Sequence, residues 1–241
     1  MIVLLTDFGL SEYVGVMKGV IYKIASDAKI VDLCHEISPQ NIIESSWVLK
    51  NNYKYFPQGA AFCCVVDPGV GTERKALAVH TTGYYFVAPD NGLLWETLKE
   101  QEITDIREIP IPPGASSTFH GRDVFAKAAA NIDLGHFDTS GTKTEEMKRL
   151  EIHQKAREGT VVRIDRFGNI ITNLPKEDKT TYSVKIEDRS YQMSLYPNYH
   201  AAEDNELFLL EGSCNTLEIS LKNGNANDRL HVQTGKKIEI S

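Results

Sequence analysis

Two apolar rhythms alternate over the first 135 or so positions. Short, nearly continuous runs at Ile2–Leu5, Ile30–Leu33 and Ala61–Val66 read as strands of a sheet covered on both faces, because a strand buried on two sides needs no polar alternation. Between them Val14, Met17, Val20, Ile21 and Ile24 recur at helical spacing and predict a helix over roughly 13–25. Ser38 and Pro39 read as the N-cap and first turn of a second helix carrying Ile42, Ile43, Trp47 and Leu49. KALAV and YYFVA flank the turn residues HTTG as a hairpin, and DVFAKAAANI (123–132) reads as a helix capped by Asp123. Strand and helix taking turns in this way predict an α/β layer with a mainly parallel central sheet.

Past Gly135 the texture changes. The polar stretch TSGTKTEEMKRLEIHQKAREG has no sustained apolar face and reads as a connection. From Thr160 onward TVVRI, NIITN, YSVKI, ELFLL, TLEISL, RLHVQ and KKIEI are short and strand-like, with Gly, Asn and Asp between them and no helix. The expected division is an N-terminal α/β domain over 1–140, a linker over 141–158 and a smaller all-β, barrel-like domain over 159–241.

Charge and composition remove several function classes. The 33 acidic and 26 basic residues leave a net charge of −7 without long blocks of either sign, which argues against nucleic acid or an anionic membrane as partner. The opening MIVLLTDFG lacks a basic leader and a cleavage pattern, and no stretch reaches the about 20 apolar residues of a membrane span, so a cytoplasmic protein is expected. Cys34, Cys63, Cys64 and Cys214 show no CxxC spacing and read as reduced thiols. His35, His80, His120 and His136 fall in no metal-binding spacing, so no metal is expected.

In an open α/β sheet ligands bind beyond the carboxyl ends of the strands, so polar residues that follow strand-like runs are the first candidates. Asp7 follows IVLLT, Asp67 follows AFCCVV, Asp90 and Asn91 follow YYFVAP, and His120 precedes the predicted helix at 123. In VVDPGVGTER, Pro68 stops the strand and Gly69 and Gly71 permit a tight excursion returning at Arg74. The spacing is neither a P-loop nor a GxGxxG fingerprint, and an ordinary Pro-Gly turn reads equally well. ASST lacks the GxSxG elbow of a serine hydrolase. In RIDRFGNIITN, Phe167 and Asn169 suit a purine, the ring stacking and the amide reading an edge, and they suit a β-turn with a core Phe as well.

Taken together, TDFG (6–9) with YVGVMKG (13–19), VVDPGVGTER (65–74), PDNGLL (89–94), FHGRD (119–123), DRFGNIITN (165–173) and GSCNTLEISLKNGNA (212–226) resemble the S-adenosyl-L-methionine hydroxide adenosyltransferases, the hydrolase branch related to fluorinase and chlorinase. The resemblance implies an N-terminal α/β domain, a C-terminal β-barrel domain and a homotrimer whose sites lie where one subunit's large domain meets a neighbour's small one. It implies hydrolysis of S-adenosyl-L-methionine to adenosine and methionine by in-line attack of water or hydroxide on the ribose C5′, with the sulfonium compound as substrate and no cofactor. The family's catalytic Asp-Arg-His trio falls on Asp67, Arg74 and His120, with either Asp67 or His120 as proton acceptor. Asp7 is implied to hold the ribose hydroxyls, with Asn169 and the backbone near Ala226 on the adenine, Phe167 beside it, Asp165 and Ser213 toward the methionine end, and Glu218 among the substrate contacts. Either Ser11 or Glu12 takes a ligand-facing position in the first motif, and Cys214 stands where the halogenating branch has arginine. A halogenase of the same fold and a non-catalytic binder of the sulfonium compound or of adenosine remain as alternatives. The short DPGVGTER loop speaks against the former, and the trio against the latter.

Overall fold

In the computed structural model, which describes residues 1–241, the first apolar run forms strand β1 (Ile2–Thr6), buried along its whole length. Helix α1 (Glu12–Ile24) and strand β2 (Ile30–Cys34) follow, then α2 (Ile42–Asn52) and β3 (Ala61–Val65). Strands β4 (Ala76–Thr81) and β5 (Tyr85–Pro89) form the expected antiparallel hairpin. The short helix α3 (Trp95–Leu98) leads to β6 (Ile103–Ile109), helix α4 (Ala126–Asp133) and the two-residue strand β7 (Thr142–Lys143).

The sheet order is β2-β1-β3-β5-β4-β6-β7, parallel through β5 and antiparallel beyond it. Alternate residues of β1 and β3 supply two cores. Ile2, Leu4, Ala61, Cys63 and Val65 pack with α1 and α4, while Val3, Leu5, Phe62 and Cys64 pack with α2. A strand serving both cores must be apolar at every position, which is why these runs lack a polar rhythm. The chain leaves β1 in one direction to form β2 and returns on the other side to form β3. The crevice beyond the carboxyl ends of β1 and β3 is therefore the switch point of the sheet.

Two local expectations are corrected here. Ser38 does not cap α2; Asn41 does, its side chain accepting from the Glu44 N–H at 3.0 Å, while the Ser38 N–H donates to the Glu44 carboxylate at 3.1 Å. Asp123 is not an N-cap either. The helix starts earlier, in a wide turn over Gly121–Phe125 closed by the Ala126 N–H on the Gly121 carbonyl. An i→i+5 turn of this kind depends on what it packs against and leaves little mark on sequence periodicity.

The chain divides into compact units at Met1–Glu151 and Ile152–Ser241. In the second unit β8 (Glu158–Ile164), β9 (Ile170–Thr172), β10 (Thr181–Ile186), β11 (Arg189–Ser194), β12 (Leu207–Glu211) and β13 (Leu217–Leu221) precede helix α5 (Ala226–Leu230) and β14 (Lys237–Ile240). The order is β11-β10-β14-β8-β9-β13-β12, antiparallel throughout, and a bridge between Leu195 and Leu209 brings the two edges together into a nearly closed barrel. RLHVQ is not a strand. Asn225 accepts from the Asp228 N–H and starts α5, and His231 at φ 54° ends it, so Leu230 and Val232 reach the core from a helix end and a loop.

No helix is long and apolar enough to cross a membrane. Cys63 and Cys64 are fully buried, while Cys34 and Cys214 are half-buried.

Candidate active site

A cleft of about 300 Å³ opens at the switch point, lined by Asp7 beyond β1, Asp67 beyond β3, His120, the aromatic rings of Phe8, Tyr13 and Phe119, and Ser11 but not Glu12. The three rings meet edge to face with centroids 5.0–6.0 Å apart, giving the polar groups an apolar wall.

The loop from Asp67 to Arg74 folds back on itself. At Gly71 φ is +77°, and a Cβ there would lie 2.2 Å from the Ser117 carbonyl oxygen, so only glycine lets the loop lie this close to the segment before His120. Arg74 returns along the loop and donates through Nε to Asp67 Oδ1 at 3.0 Å and Oδ2 at 3.1 Å. Its Nη2 is shared between Asp67 Oδ2 and His120 Nδ1, the latter at 2.7 Å. The Asp67 and Arg74 side chains are only 6% and 5% exposed, so this is a buried pair in which each member depends on the other. The Arg74 guanidinium also lies over the Phe125 ring, 5.2 Å from its centroid, and its buried Nη1 has no hydrogen-bond partner.

The donor inventory fixes the state of His120. A guanidinium can only donate, so Nδ1 must offer its lone pair, and a neutral ring then carries its proton on Nε2. Burial, together with the Arg74 charge, pushes the His120 pKa below its ordinary value and favours that neutral form. Burial raises the Asp7 carboxyl, against the Gln40 N–H that donates to Oδ2 at 2.7 Å. Beside the cleft, Arg122 pairs with Asp123 and holds that carboxyl down at about 2, while Asp123 Oδ2 accepts from the Ser116 N–H.

Asp90 and Asn91 do not join the cleft-lining groups. The Asn91 amide donates to the Val66 carbonyl at 2.9 Å, and buried Asp90 accepts from the Lys148 N–H at 2.7 Å.

In the second unit a separate polar cluster surrounds the turn after β8. Asp165 Oδ1 accepts from the Phe167 and Asn169 N–H groups, and Oδ2 accepts from the Asn169 amide, all at 2.9 Å. That amide also lies 3.3 Å from the Tyr199 hydroxyl, which donates to Glu218 Oε1 at 2.5 Å. Glu218 is buried, and burial followed by the Asp165 charge raises its pKa against the Tyr199 hydrogen bond. Gly168 at φ +83° lets Asn225 approach the turn, since a Cβ there would come 1.9 Å from Asn225 Oδ1, and its carbonyl accepts from the Asn227 N–H. Phe167 is 75% exposed, Ala226 is fully buried and Ser213 is exposed. Neither Tyr199 nor the cleft rings Phe8, Tyr13 and Phe119 stand out as ligand-facing residues from the sequence alone. The three rings lie inside the motifs TDFG, YVGVMKG and FHGRD, whereas Tyr199 sits in a segment without periodic pattern.

The fold and cleft define a two-unit protein, an α/β sheet with a polar cleft at its switch point followed by a small antiparallel barrel. Family profiles match both units: the SAM hydroxide adenosyltransferase N-terminal domain over residues 2–141 and the C-terminal domain of the same family over 159–239. The chain is 39% identical to the (R)-S-adenosyl-L-methionine hydrolase of Methanocaldococcus jannaschii over 99% of its own length and 95% of that protein's. It is 33% identical to the enzyme of the same name from Thermus thermophilus, over 98% and 97%. A fluorinase from Actinopolyspora mzabensis is 25% identical over 73% of this chain and 72% of its own. A crystal structure of an uncharacterized conserved protein from Thermotoga maritima superposes along all of both chains with a TM-score of 0.91 at 36% identity. The chain belongs to the SAM hydroxide adenosyltransferase family.

Proposed function

We propose that this chain hydrolyses S-adenosyl-L-methionine to adenosine and L-methionine. Water attacks the ribose C5′ in line with the C–S bond. A C5′–O bond forms, the C5′–S electron pair goes to sulfur, which becomes the neutral thioether of methionine, and one water proton is released. The sulfonium is already a good leaving group, so the reaction calls for neither metal nor cofactor. The catalytic task is to hold water behind C5′ and stabilise hydroxide-like charge there.

The observation that carries the reading is the single guanidinium of Arg74 tied to both the Asp67 carboxylate and His120 Nδ1 at the cleft. In this reading Arg74 offsets developing negative charge, and removal of one such group typically costs about 10²–10³ in rate. His120, with Nδ1 occupied and Nε2 protonated, donates to the nucleophile oxygen. Asp67, which still has lone pairs, receives the proton; general-base help of this kind contributes about 10²–10⁴. Asp7 takes the ribose hydroxyls. Asn169, the backbone at Ala226 and the exposed Phe167 ring take the adenine, while Asp165, Ser213 and Glu218 face the methionine end, whose ammonium and sulfonium charges suit carboxylates. The chain acts as a homotrimer, each site formed by one subunit's first unit and a neighbour's second, as the family resemblance implies. Light scattering of the purified protein tests that directly.

The activity is tested by incubating the protein with S-adenosyl-L-methionine in ¹⁸O water. Adenosine labelled at the 5′ oxygen and unlabelled methionine are expected, and the names of the relatives predict that the (R) sulfonium epimer alone is consumed. Binding without products would make the chain a binder, and a 5′-halogenated nucleoside in chloride or fluoride would move it to the halogenating branch.

A further inference from the structure

The register between β1 and β2 breaks after Leu4↔Asp32, with Leu5 opposite Cys34, so Leu33 is an extra residue and the end of β2 turns. Past that bulge His35 lies beside Thr6. Its Nδ1 is 2.9 Å from Thr6 Oγ1, its Nε2 is 3.0 Å from Asp32 Oδ1, and Lys18 Nζ is 2.6 Å from Asp32 Oδ2. Thr6 Oγ1 accepts from the Phe8 N–H at 3.2 Å, and the His35 carbonyl accepts from the Gly9 N–H at 2.7 Å. The two amides that follow Asp7 are therefore both tied to this array. On its other side the Asp7 carboxylate takes the N–H of Gln40, a residue held at φ +64°.

The directions of these bonds follow from counting donors. The Asp32 carboxylate can only accept, so a neutral ring keeps its proton on Nε2 facing Asp32, and its Nδ1 lone pair takes the proton of the fully buried Thr6 hydroxyl, whose oxygen accepts from Phe8. Thr6, Asp32 and His35 do not line the cleft, so they reach a ligand only through the loop they hold. The order of a Thr-His-Asp array resembles that of a nucleophile relay, but a hydroxyl with no exposed surface has no access to a substrate.

The geometry points to Thr6 and His35 as positioning residues for ribose recognition: with Asp32 they fix the backbone at Phe8 and Gly9 so that the Asp7 carboxylate meets the ribose diol. This inference rests on the reading of Asp7 as the ribose ligand. A mere strut of the fold lowers stability and weakens all ligands alike, whereas a positioning array changes the discrimination between a ligand with the diol and one without it.

The test is calorimetric binding of adenosine and of 2′,3′-dideoxyadenosine to the full chain. Wild type prefers adenosine by about tenfold or more, the usual return on hydrogen bonds to a charged group. In Thr6→Val and in His35→Phe the ratio falls to within about threefold while dideoxyadenosine affinity is unchanged, and Thr6→Ser, which keeps the hydroxyl, keeps the preference. Retention of the wild-type ratio in Thr6→Val and His35→Phe overturns the inference, as does equal weakening of both nucleosides. Failure of both variants to fold makes the array a strut and overturns it too. Asp7→Asn is the control on the underlying reading. If that variant keeps the preference, Asp7 is not the ribose ligand, and if Asp7→Asn loses it while Thr6→Val does not, only the positioning role fails.

Discussion

The polar clusters of the two units solve the problem of buried charge in opposite ways. In the first unit the Asp67 carboxylate is neutralised inside the chain by Arg74, and the same guanidinium fixes the proton on His120. In the second unit two carboxylates, Asp165 and Glu218, lie close enough for the charge of Asp165 to raise the Glu218 pKa. They are held by N–H and O–H donors from Phe167, Asn169 and Tyr199. A neutralised cluster is suited to hold a neutral water and withstand new negative charge. A cluster left electron-rich is suited to a cation, which the sulfonium and ammonium groups of the proposed substrate supply. On the proposed function, chemistry and substrate charge divide between the units.

That division is broken most forcefully at Arg74. Arg74→Met leaves Asp67 buried without its partner and His120 without its donor, so turnover is expected to fall about 10²–10³-fold and stability by about 3–5 kcal/mol. Adding Asp67→Asn removes the stranded charge, so the double variant regains most of the stability and none of the turnover. Urea unfolding beside product chromatography reads both. The corresponding change in the second unit, Asp165→Asn, keeps an acceptor for the turn amides and should cost only about 1–2 kcal/mol. Equal losses at the two positions would erase the contrast.

Next in size is a backbone effect confined to the second unit. Gly168→Ala places a Cβ against the Asn225 side chain in a left-handed conformation, so a loss of about 1–3 kcal/mol is expected together with weaker adenosine binding. Asn225 caps α5, so far-ultraviolet circular dichroism should report the change as loosening at Ala226–Leu230.

The titratable groups of the cleft give a smaller effect with a definite sign. The folded-state pKa of His120 lies below its ordinary value, so the unfolded chain binds more protons between that lowered value and about 6.5. Stability from this residue is complete above about 6.5 and falls as pH drops through the window. The folded-state pKa of Asp7 is raised, so its contribution has the opposite slope: it is present at low pH and lost as pH rises from the ordinary carboxylate value through the raised one. Between pH 7 and 5 the wild type should lose more stability than His120→Asn does, and at pH 7 Asp7→Asn should melt higher than wild type while its KM for the sulfonium substrate rises. A lower melting point for Asp7→Asn would mean that the carboxylate is kept for stability.

The sequence carried these features unevenly. Strands β1 and β3 are legible because a strand feeding two cores must be apolar at every position, and the hairpin of β4 and β5 is legible from its turn residues. The wide turn at Gly121–Phe125 and helix α5 are not, because an i→i+5 hydrogen bond and a cap at Asn225 are decided by what packs around them, and RLHVQ on its own alternates like a strand. Asp67 and Arg74 lie seven residues apart in one glycine-bent loop, so their approach can be imagined from spacing, but His120 lies 46 residues beyond Arg74 and only the sheet brings it there. The β2 bulge that swings His35 onto Thr6 leaves no mark on periodicity at all, since one extra residue in a short strand looks like its end.

The smallest expected effect on stability is at Phe167, and it sharpens the contrast between what holds a unit together and what receives a ligand. The ring is 75% exposed and absent from the buried core of its unit, so Phe167→Ala should change unfolding free energy by no more than about 0.5 kcal/mol. If the ring packs beside adenine, the same change weakens adenosine about tenfold, the usual yield of one aromatic stacking partner. Phe8→Ala in the first unit runs the other way. That ring meets both Tyr13 and Phe119 and packs half-buried against the core, so its removal costs about 1–3 kcal/mol of stability, less than a fully buried Phe, along with affinity. An affinity unchanged in Phe167→Ala would take the ring out of the adenine site and leave Asn169 and the Ala226 backbone to bind the base, a result that adenosine calorimetry on the two variants reads directly.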